Sequence, residues 1–431
     1  MKAATYFENI WLKFTALSPL RKAFIMCALS ALVIILRRPE LILHPQFWAE
    51  DFAVFYKQAY VQGLASFGHS YSDLLQTFPR LMAFIVVRFP FAEGPLLFNL
   101  IAIAAMTVPV FVLWSDKTLL KQEGDLRKLI LTILFILIPN VTEIFGNLTN
   151  SVWYLAVAAL LALVRTDPVS AKKWLVFDSV LLLLVGLTGP YSTVLLLIAL
   201  FLLAYRRNRF AATYIKTVII LCCALLQLLV YSHNPSQTPS LISQAKPIVK
   251  NYNRPIEITG MRYFVMPVLG REIVTDQTIA TSPQTYALGM VFIVLMLIAF
   301  LKSRLEIRAI ILFCALLYAV SFIRAQTVPV VDFWRMLQFN AFGDRYFFVP
   351  FFGWLVALLA LTNRQNTHTA KIAAAILALY IVCFPFSFGV PALKDFHFSA
   401  QVKAFNALPK GAKACFRINP DAAWTTCLRK K

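Results

Sequence analysis

The amino-acid sequence predicts an all-α, polytopic membrane protein. Hydrophobic residues make up 60% of the 431 residues and charged residues only 14%, whereas soluble domains contain about 25% charged residues. Apolar runs near or above the length that crosses a bilayer recur along the chain. Together with the basic segments between these runs, they predict about eleven transmembrane helices.

The chain divides into three predicted parts. Residues 1–22 form a cytoplasmic amphipathic N-terminus, residues 23–390 a transmembrane domain, and residues 391–431 a short outer C-terminal tail. The first apolar run has no small-residue cleavage site after it, so we expect an anchor and not a signal peptide. The predicted outer loops are 38–94, 140–151, 232–284 and 324–345.

Breakers and basic residues determine the order of the spans. The apolar block 174–205 is too long for one crossing, and Gly189-Pro190 divides it into two spans joined by a tight outer turn. Residues 77–91 are apolar but bounded by Pro79 and Pro90. We expect this segment to lie in the outer interface; the alternative is a full crossing, which would place the basic residues of 206–209 outside.

The charge balance indicates the kind of partner. Lys and Arg number 41 and Asp and Glu number 20, which gives a formal net charge of +21. The preference of basic residues for cytoplasmic loops explains part of this excess. The rest lies in predicted outer segments and suits acidic or phosphate-bearing partners. We expect no nucleic-acid partner, because the chain has no soluble basic domain.

The cysteines bear on the orientation of the tail. Five of the seven lie inside apolar spans and are expected to be buried apolar residues. Cys415 and Cys427 lie in the polar tail after the last span. A disulfide between them is expected if the tail faces an oxidising compartment.

One stretch after the first span combines acids with aromatic rings. Glu50 and Asp51 are adjacent within residues 44–56, which include five aromatic residues. Interfacial anchoring explains the aromatic residues but not the paired acids. We expect a general base here; the alternative is an ordinary helix start, where acids are favoured by the helix dipole.

The predicted outer loops also contain arginines. Arg80, Arg262 and Arg345 offer planar groups that match phosphate oxygens, and a nearby carboxylate can take a proton from a hydroxyl group. Acids and arginines at one end of an apolar bundle suit a reaction on a lipid-linked phosphate. The alternative is that these arginines snorkel or bind lipid head groups.

Several short motifs occur in the order found in one enzyme class. The segment 47–51 with Phe55 and Tyr56, followed by 78–81, resembles the first outer loop of bacterial GT-C-type membrane glycosyltransferases. The further matching segments are 146–150 with Trp153, 187–190, 345–350, and 417–420 with Trp424 and Leu428. The resemblance covers nearly the whole chain and implies a GT-C-like bundle with in-plane helices in a long first outer loop.

This resemblance implies an inverting transferase that uses a polyprenyl-phosphate-linked sugar. In such enzymes an acid of the first outer loop is the base, so Asp51 is the first choice and Glu50 the second. Outer arginines such as Arg80, Arg262 and Arg345 would hold the lipid phosphate. The matching motifs add substrate-binding candidates at Asn147, Asn150 and Tyr191.

The same resemblance implies where the protein works and with what. The acceptor would be a surface glycan such as O-antigen or lipopolysaccharide, and the site would lie on the periplasmic face of the bacterial inner membrane. A lipid-linked sugar synthase and a flippase would belong to the same pathway. No cofactor is expected; some relatives with pyrophosphate donors use a divalent metal ion, so a metal stays an alternative.

Two other functions stay open at this point. An O-antigen polymerase or ligase also combines outer arginines with lipid-linked glycans. A lipid-linked glycan flippase or transporter would place polar groups along a central path.

Overall fold

The structure is a computed structural model. It describes residues 2–115, 124–165, 172–206, 211–233, 253–270, 279, 281–325, 337, 343–363, 367–421 and 424–431. Most of the predicted outer loops 232–284 and 324–345 lie outside the described residues.

The described chain is helical apart from one hairpin and connecting segments. The α-helices are α1 Lys2–Thr15, α2 Pro19–Arg37, α3 Glu40–Leu43, α4 Lys57–Gln62, α5 Thr77–Val86, α6 Gly94–Ser115, α7 Gly124–Ile136, α8 Leu148–Val164, α9 Lys172–Gly186, α10 Tyr191–Tyr205, α11 Ala211–His233, α12 Asn253–Gly260, α13 Met266–Leu269, α14 Pro283–Lys302, α15 Leu305–Ala325, α16 Arg345–Thr362, α17 His368–Cys383 and α18 Phe398–Ala407. π-Helical turns at Asp51–Tyr56 and Met261–Val265 precede α4 and α13, and short 3-10 turns lie at Gly63–Gly68, Phe91–Glu93 and Phe384–Ser387. The strands are β1 Lys413–Arg417 and β2 Thr425–Arg429.

The structure confirms an all-α polytopic membrane protein but not the count of eleven spans. Among the described residues, seven helices are long and apolar enough to cross a membrane, namely α2, α6, α11, α14, α15, α16 and α17. The other four predicted spans correspond to α7, α8, α9 and α10, which have 13 to 17 residues. At 1.5 Å per residue they fall short of the roughly 20 residues that a bilayer requires.

The bundle is centred on α8 and α16. Nearly every residue of these two helices is buried, whereas α2, α11 and α17 expose many apolar side chains. α8 packs on α6, and α16 packs on α15 and α17. Fully buried helices surrounded by half-exposed apolar helices are the arrangement expected of a bundle in lipid.

The apolar segment between Pro79 and Pro90 forms a short helix. α5 has 10 residues, about 15 Å long at 1.5 Å per residue, or half of a bilayer core. The structure therefore favours the interfacial interpretation over a full crossing. Main-chain atoms of Leu75 and Thr77 bond to the turn between α9 and α10, so the first loop is attached to the bundle directly before α5.

The turn between α9 and α10 lies at Gly189-Pro190, where the sequence predicts a break between two spans. Gly189 has φ +67°, a left-handed conformation that glycine adopts without strain. Its N–H donates to the Leu75 carbonyl at 2.9 Å. The Thr188 hydroxyl accepts the N–H of Phe78 at 3.0 Å. The turn thus joins two helices and also holds residues 75–78 against them.

Two adjacent arginines at the end of α2 stabilise the segment after α7. Arg37 and Arg38 are buried, with 3% and 1% exposure. Their guanidinium groups donate to main-chain oxygens of Ile136, Ile138, Thr142, Phe145 and Phe388. Carbonyl oxygens accept hydrogen bonds from both guanidinium groups. The same bonds hold the loop before α8 in position.

The C-terminal tail is a small folded unit. β1 and β2 pair antiparallel with Cys415 opposite Cys427, and the two cysteines form a disulfide. Rings from the tail pack against rings from the first loop in a cluster with centroid separations of 5.3 to 6.0 Å. The cluster comprises Phe52, Phe91, Phe398, Phe405 and Phe416.

Asn419 links this tail to the residues just before the paired acids. Its carbonyl accepts the N–H of Ala49 at 2.7 Å, and its N–H donates to the Phe47 carbonyl at 3.3 Å. Its side chain bonds to both the N–H and the carbonyl of Lys394, each at 2.9 Å. The tail therefore fixes the backbone that leads into Glu50.

Replacing this asparagine should loosen the tail. We expect Asn419→Ala to destabilise the protein by about 1–3 kcal/mol, because two hydrogen bonds to the main chain of Lys394 are lost, each contributing about 0.5–1.5 kcal/mol. The midpoint of thermal unfolding in detergent measures this. Asn406→Ala is the matched control, since Asn406 is exposed on α18; equal midpoints for both variants would contradict the assignment.

Candidate active site

A cavity of about 300 Å³ lies at one end of the bundle, at the small end of the range for ligand sites. It is formed by the first loop, the first turns of α8, α10 and α16, the turn before α10, and the last turns of α15. Its lining residues are Glu50, Phe55, Tyr71, Ser72, Leu74, Gln76, Thr149, Asn150, Val152, Trp153, Gly189, Pro190, Tyr191, Leu317, Val320, Ser321, Arg345 and Tyr346.

Glu50 presents its carboxylate to this cavity. Its side chain is half-buried, and one carboxylate oxygen accepts a hydrogen bond from the Tyr71 hydroxyl at 3.1 Å. Tyr71 belongs to the segment that the turn before α10 holds in place. Glu50 is therefore oriented by a fixed partner and remains accessible to a ligand.

Asp51 has a different role. It is 1% exposed and does not line the cavity. Its carboxylate accepts the N–H groups of Leu148 and Thr149 at 3.0 and 2.8 Å, and also the Thr149 hydroxyl. It thus binds the free amides at the N-terminus of α8. That Asp51 comes before Glu50 as the base stays a prediction; in the structure the Asp51 carboxylate bonds to a helix end, whereas Glu50 lines the cavity.

Burial changes the proton affinity of Asp51. Desolvation raises the pKa of its carboxyl from 3.8 to about 7, although its hydrogen bonds to Thr149 and Leu148 oppose the shift. The paired acids of the sequence thus separate into one that faces the cavity and one that holds a helix.

Arg345 is the cation among the described residues that line the cavity. Its guanidinium forms an ion pair with Glu143 at 3.2 Å, and its side chain keeps 32% exposure. The second Glu143 carboxylate oxygen accepts the main-chain N–H of Arg345 at 3.3 Å. Burial raises the pKa of the Glu143 carboxyl to about 8, opposed by the Arg345 charge. Glu143 thus holds both the main chain and the side chain of Arg345 in position.

The other two predicted phosphate-binding arginines do not line the cavity. Arg262 is buried between Asp344, which it meets at 2.9 Å, and the ring of Phe347. Arg80 is buried against the ring of Phe55 and donates to Gln58 at 2.6 Å. Both side chains are buried and lie outside the lining of this cavity, so their role in phosphate binding stays a prediction that the geometry of the cavity does not support.

Of the three further substrate-binding candidates, Asn150 and Tyr191 line the cavity and Asn147 does not. Asn147 caps α8 by accepting the Asn150 N–H at 2.9 Å, and it lies outside the cavity lining. Asn150 lines the cavity while its amide nitrogen donates to the Glu143 carbonyl at 3.1 Å. Tyr191 lines the cavity at the start of α10.

Sequence reasoning assigned no role to three aromatic residues of the site. Tyr71 orients Glu50, and Trp153 and Tyr346 line the cavity beside Arg345. Trp153 and Tyr346 belong to the motifs at 146–153 and 345–350, which signalled the region but not the roles. Tyr71 carries no sequence signal, because its position follows from the turn that holds the loop.

Metal-binding groups are not clustered in the described part of the chain. Among the residues that the structure describes, no three His, Cys, Asp or Glu side chains lie together in a way that could hold a metal ion.

The fold is similar to that of a solved transferase, whereas the sequence comparisons find nothing. No family model and no curated protein matches the sequence. The chain is similar to a solved oligosaccharyltransferase of Archaeoglobus fulgidus in complex with zinc and sulfate, with a TM-score of 0.39 and 12% identity. The match covers 90% of this chain and 56% of that one, so this chain spans little more than half of that protein's length.

The raised pKa of Asp51 makes a pH-dependent prediction. The folded protein binds this proton more tightly than the unfolded chain does. The contribution of Asp51 to the free energy of unfolding therefore falls as the pH rises from about 4 to about 7. We expect the unfolding midpoint of Asp51→Asn to fall less over this range than that of the wild type. Glu93→Gln changes an exposed acid and should keep the wild-type slope; an unchanged slope in Asp51→Asn would contradict the assignment.

Proposed function

We propose that this protein is a GT-C-like membrane glycosyltransferase that uses a polyprenyl-phosphate-linked sugar. The observation that carries the proposal is one cavity, at one end of an apolar bundle, lined by both the Glu50 carboxylate and the Arg345 guanidinium. A sugar–phosphate linkage at the membrane interface requires both groups, one to accept a proton and one to hold a phosphate.

The charges of the cavity favour a phosphate monoester as the leaving group. Arg345 is the only cation among the described lining residues, and it lies beside two carboxylates, Glu50 and Glu143. A leaving diphosphate would bring additional negative charge to a site with one guanidinium among its described lining residues. A donor with one phosphate suits this balance better.

The reaction follows from these positions. A hydroxyl of the acceptor glycan gives its proton to Glu50 while its oxygen attacks the anomeric carbon of the donor. The bond from that carbon to the phosphate oxygen breaks, and the electron pair leaves with the polyprenyl phosphate. Arg345 stabilises the negative charge of the leaving phosphate. Attack opposite the phosphate inverts the anomeric carbon.

Several features support a site on the periplasmic face of a bacterial inner membrane. The basic residues Arg165, Arg206 and Lys216 lie near the ends of α8, α10 and α11 that are opposite the cavity, where the preference of basic residues for the cytoplasm would put them. The tail with its disulfide packs at the cavity end, which suits an oxidising compartment. The acceptor would be a surface glycan of the O-antigen or lipopolysaccharide kind.

The same proposal names the proteins that work with this one. A synthase that makes the lipid-linked sugar and a flippase that carries it across the membrane would supply the donor. A flippase activity of this chain itself is less well supported, because the cavity is confined to one end of the helices. The rest of α8, from Tyr154 to Val164, is buried and almost entirely apolar, which leaves no polar path along it.

The role of Glu50 can be tested by the mass of the surface polysaccharide. Cells that express the wild-type protein should show one added sugar per acceptor unit, measured by mass spectrometry. We expect Glu50→Gln to lower transfer by about 10²- to 10⁴-fold, the usual effect of removing a general base. Glu93→Gln, an exposed acid of the same loop, is the control. Wild-type transfer by Glu50→Gln at normal protein levels would exclude Glu50 as the base.

The role of Arg345 can be tested by lipid-phosphate binding. We expect Arg345→Ala to weaken binding of farnesyl phosphate by roughly 10- to 100-fold, because a charge-assisted hydrogen-bond pair is lost. Titration calorimetry in nanodiscs measures the affinity. Arg417→Ala removes an exposed arginine of β1 and should bind like the wild type, whereas equal affinity in both variants would contradict the proposed role. Arg345→Lys keeps the charge without the planar fork and should be intermediate.

A further inference from the structure

Three aromatic residues form one wall of the cavity. Trp153 lies between Tyr191 and Tyr346, and its ring is nearly perpendicular to both, at centroid distances of 5.4 and 6.3 Å. We call Trp153, Tyr191 and Tyr346 the aromatic wall. The three residues come from the first turns of α8, α10 and α16, so packing of the bundle keeps them in place.

Polar groups of the aromatic wall are available to a ligand. The Trp153 indole N–H and the Tyr191 hydroxyl have no hydrogen-bond partner among the described residues. Buried tyrosine and tryptophan side chains usually find such a partner. In the same cavity, Glu50 uses only one of its carboxylate oxygens for Tyr71. The cavity thus combines apolar ring surface with unused hydrogen-bonding groups.

We propose that the aromatic wall binds an uncharged pyranose ring, with its C–H face on Trp153 and its hydroxyl groups directed to Tyr191 and Glu50. This inference rests on the proposed function and specifies the sugar that the site accepts. A pyranose has a face of polarised C–H groups, which suits the negative face of an aromatic ring. Its rim of hydroxyl groups suits the unused polar groups around the wall.

The size and charge of the cavity limit the class of sugar that it can bind. A cavity of about 300 Å³ is small for a ligand site and suits a single sugar unit better than an oligosaccharide. Arg345 is the only cation among the described lining residues, and the lipid phosphate engages its guanidinium. A sugar carboxylate would then face Glu50 without a cation from the described lining, so a uronic acid is disfavoured.

The bundle has a different place for an apolar ligand. A second cavity, of about 450 Å³, lies between α12, α14 and α15 and is lined almost entirely by apolar side chains. Its two hydroxyl groups, of Thr259 and Tyr318, bond to each other at 2.6 Å. A hydrocarbon chain loses no hydrogen bonds there, whereas in the first cavity it would leave polar groups without partners. The first cavity is therefore assigned to the sugar.

Saturation-transfer NMR on the purified protein in nanodiscs tests this assignment. The probes are the methyl glycosides of glucose, galactose and mannose, methyl glucuronide, farnesyl phosphate, and the farnesyl phosphates of the same three sugars. We expect ring protons of one face of at least one neutral sugar to receive saturation. The glucuronide should bind several-fold more weakly than the matching glucoside, from which it differs only at C6.

Substitutions connect this signal to the aromatic wall. We expect Trp153→Ala to weaken sugar binding roughly tenfold, about the value of a well-packed aromatic contact, while farnesyl phosphate binds as before. Trp153→Phe keeps a ring and should retain part of the signal even if the alanine variant is poorly folded. Trp11→Ala is the matched control, because Trp11 lies on α1 and contacts Phe14.

The outcomes separate the sugar site from the wider function. Signals from the farnesyl-linked sugars alone would assign the ring to the donor, and signals from free methyl glycosides that persist beside farnesyl phosphate would assign it to the acceptor. Farnesyl phosphate binding that depends on Arg345, without any sugar contact, would overturn the sugar site and leave the proposed function standing. Tighter binding of the glucuronide would overturn the uncharged class, and binding of none of the probes would overturn both proposals.

Discussion

The bond between the Asp51 carboxylate and the first amides of α8 is the constraint on which the site depends. It ties the first loop to the central helix of the bundle, at 3.0 and 2.8 Å from Leu148 and Thr149. Glu50 precedes this anchor by one residue, while Asn150 and Trp153 follow the bound amides within a turn and a half. This interaction therefore fixes Glu50 relative to Asn150 and Trp153, so that the first loop and the central helix share one small cavity.

Most arginines near this end of the bundle serve the fold. Arg37 and Arg38 donate to main-chain carbonyls, and Arg262 pairs with Asp344. Arg345 differs because its partner Glu143 lies to one side and about a third of its side chain stays exposed to the cavity. A buried charge is costly unless it is paired and hydrogen-bonded, and this explains the partners of Arg37, Arg38 and Arg262. Arg345 is partly exposed, so it can bind an anion while the contacts of the other arginines stay intact.

Hydropathy, breakers and basic residues were sufficient to locate the long apolar helices and the turn at Gly189-Pro190, but not the helix and hairpin of the tail. They could not give the number of crossings, because α7 to α10 have lengths between those of a core helix and a membrane span. The paired acids indicated the stretch that reaches the cavity, but which of the two faces it was beyond the sequence. Adjacent side chains on a helical turn point in different directions, and only the arrival of α8 at Asp51 decides which one faces the cavity. The burial of Arg80 and Arg262 was beyond the sequence for the same reason, since their partners Gln58 and Asp344 become neighbours only in the folded chain.

The most direct test of the shared cavity is an electron cryo-microscopy map of the protein in nanodiscs with polyprenyl phosphate added. Density for the phosphate should lie within hydrogen-bond distance of the Arg345 guanidinium, with the Glu50 carboxylate on the opposite side of the remaining space. Phosphate density at any other arginine, with Arg345 still closed onto Glu143 and the cavity unchanged, would contradict the account.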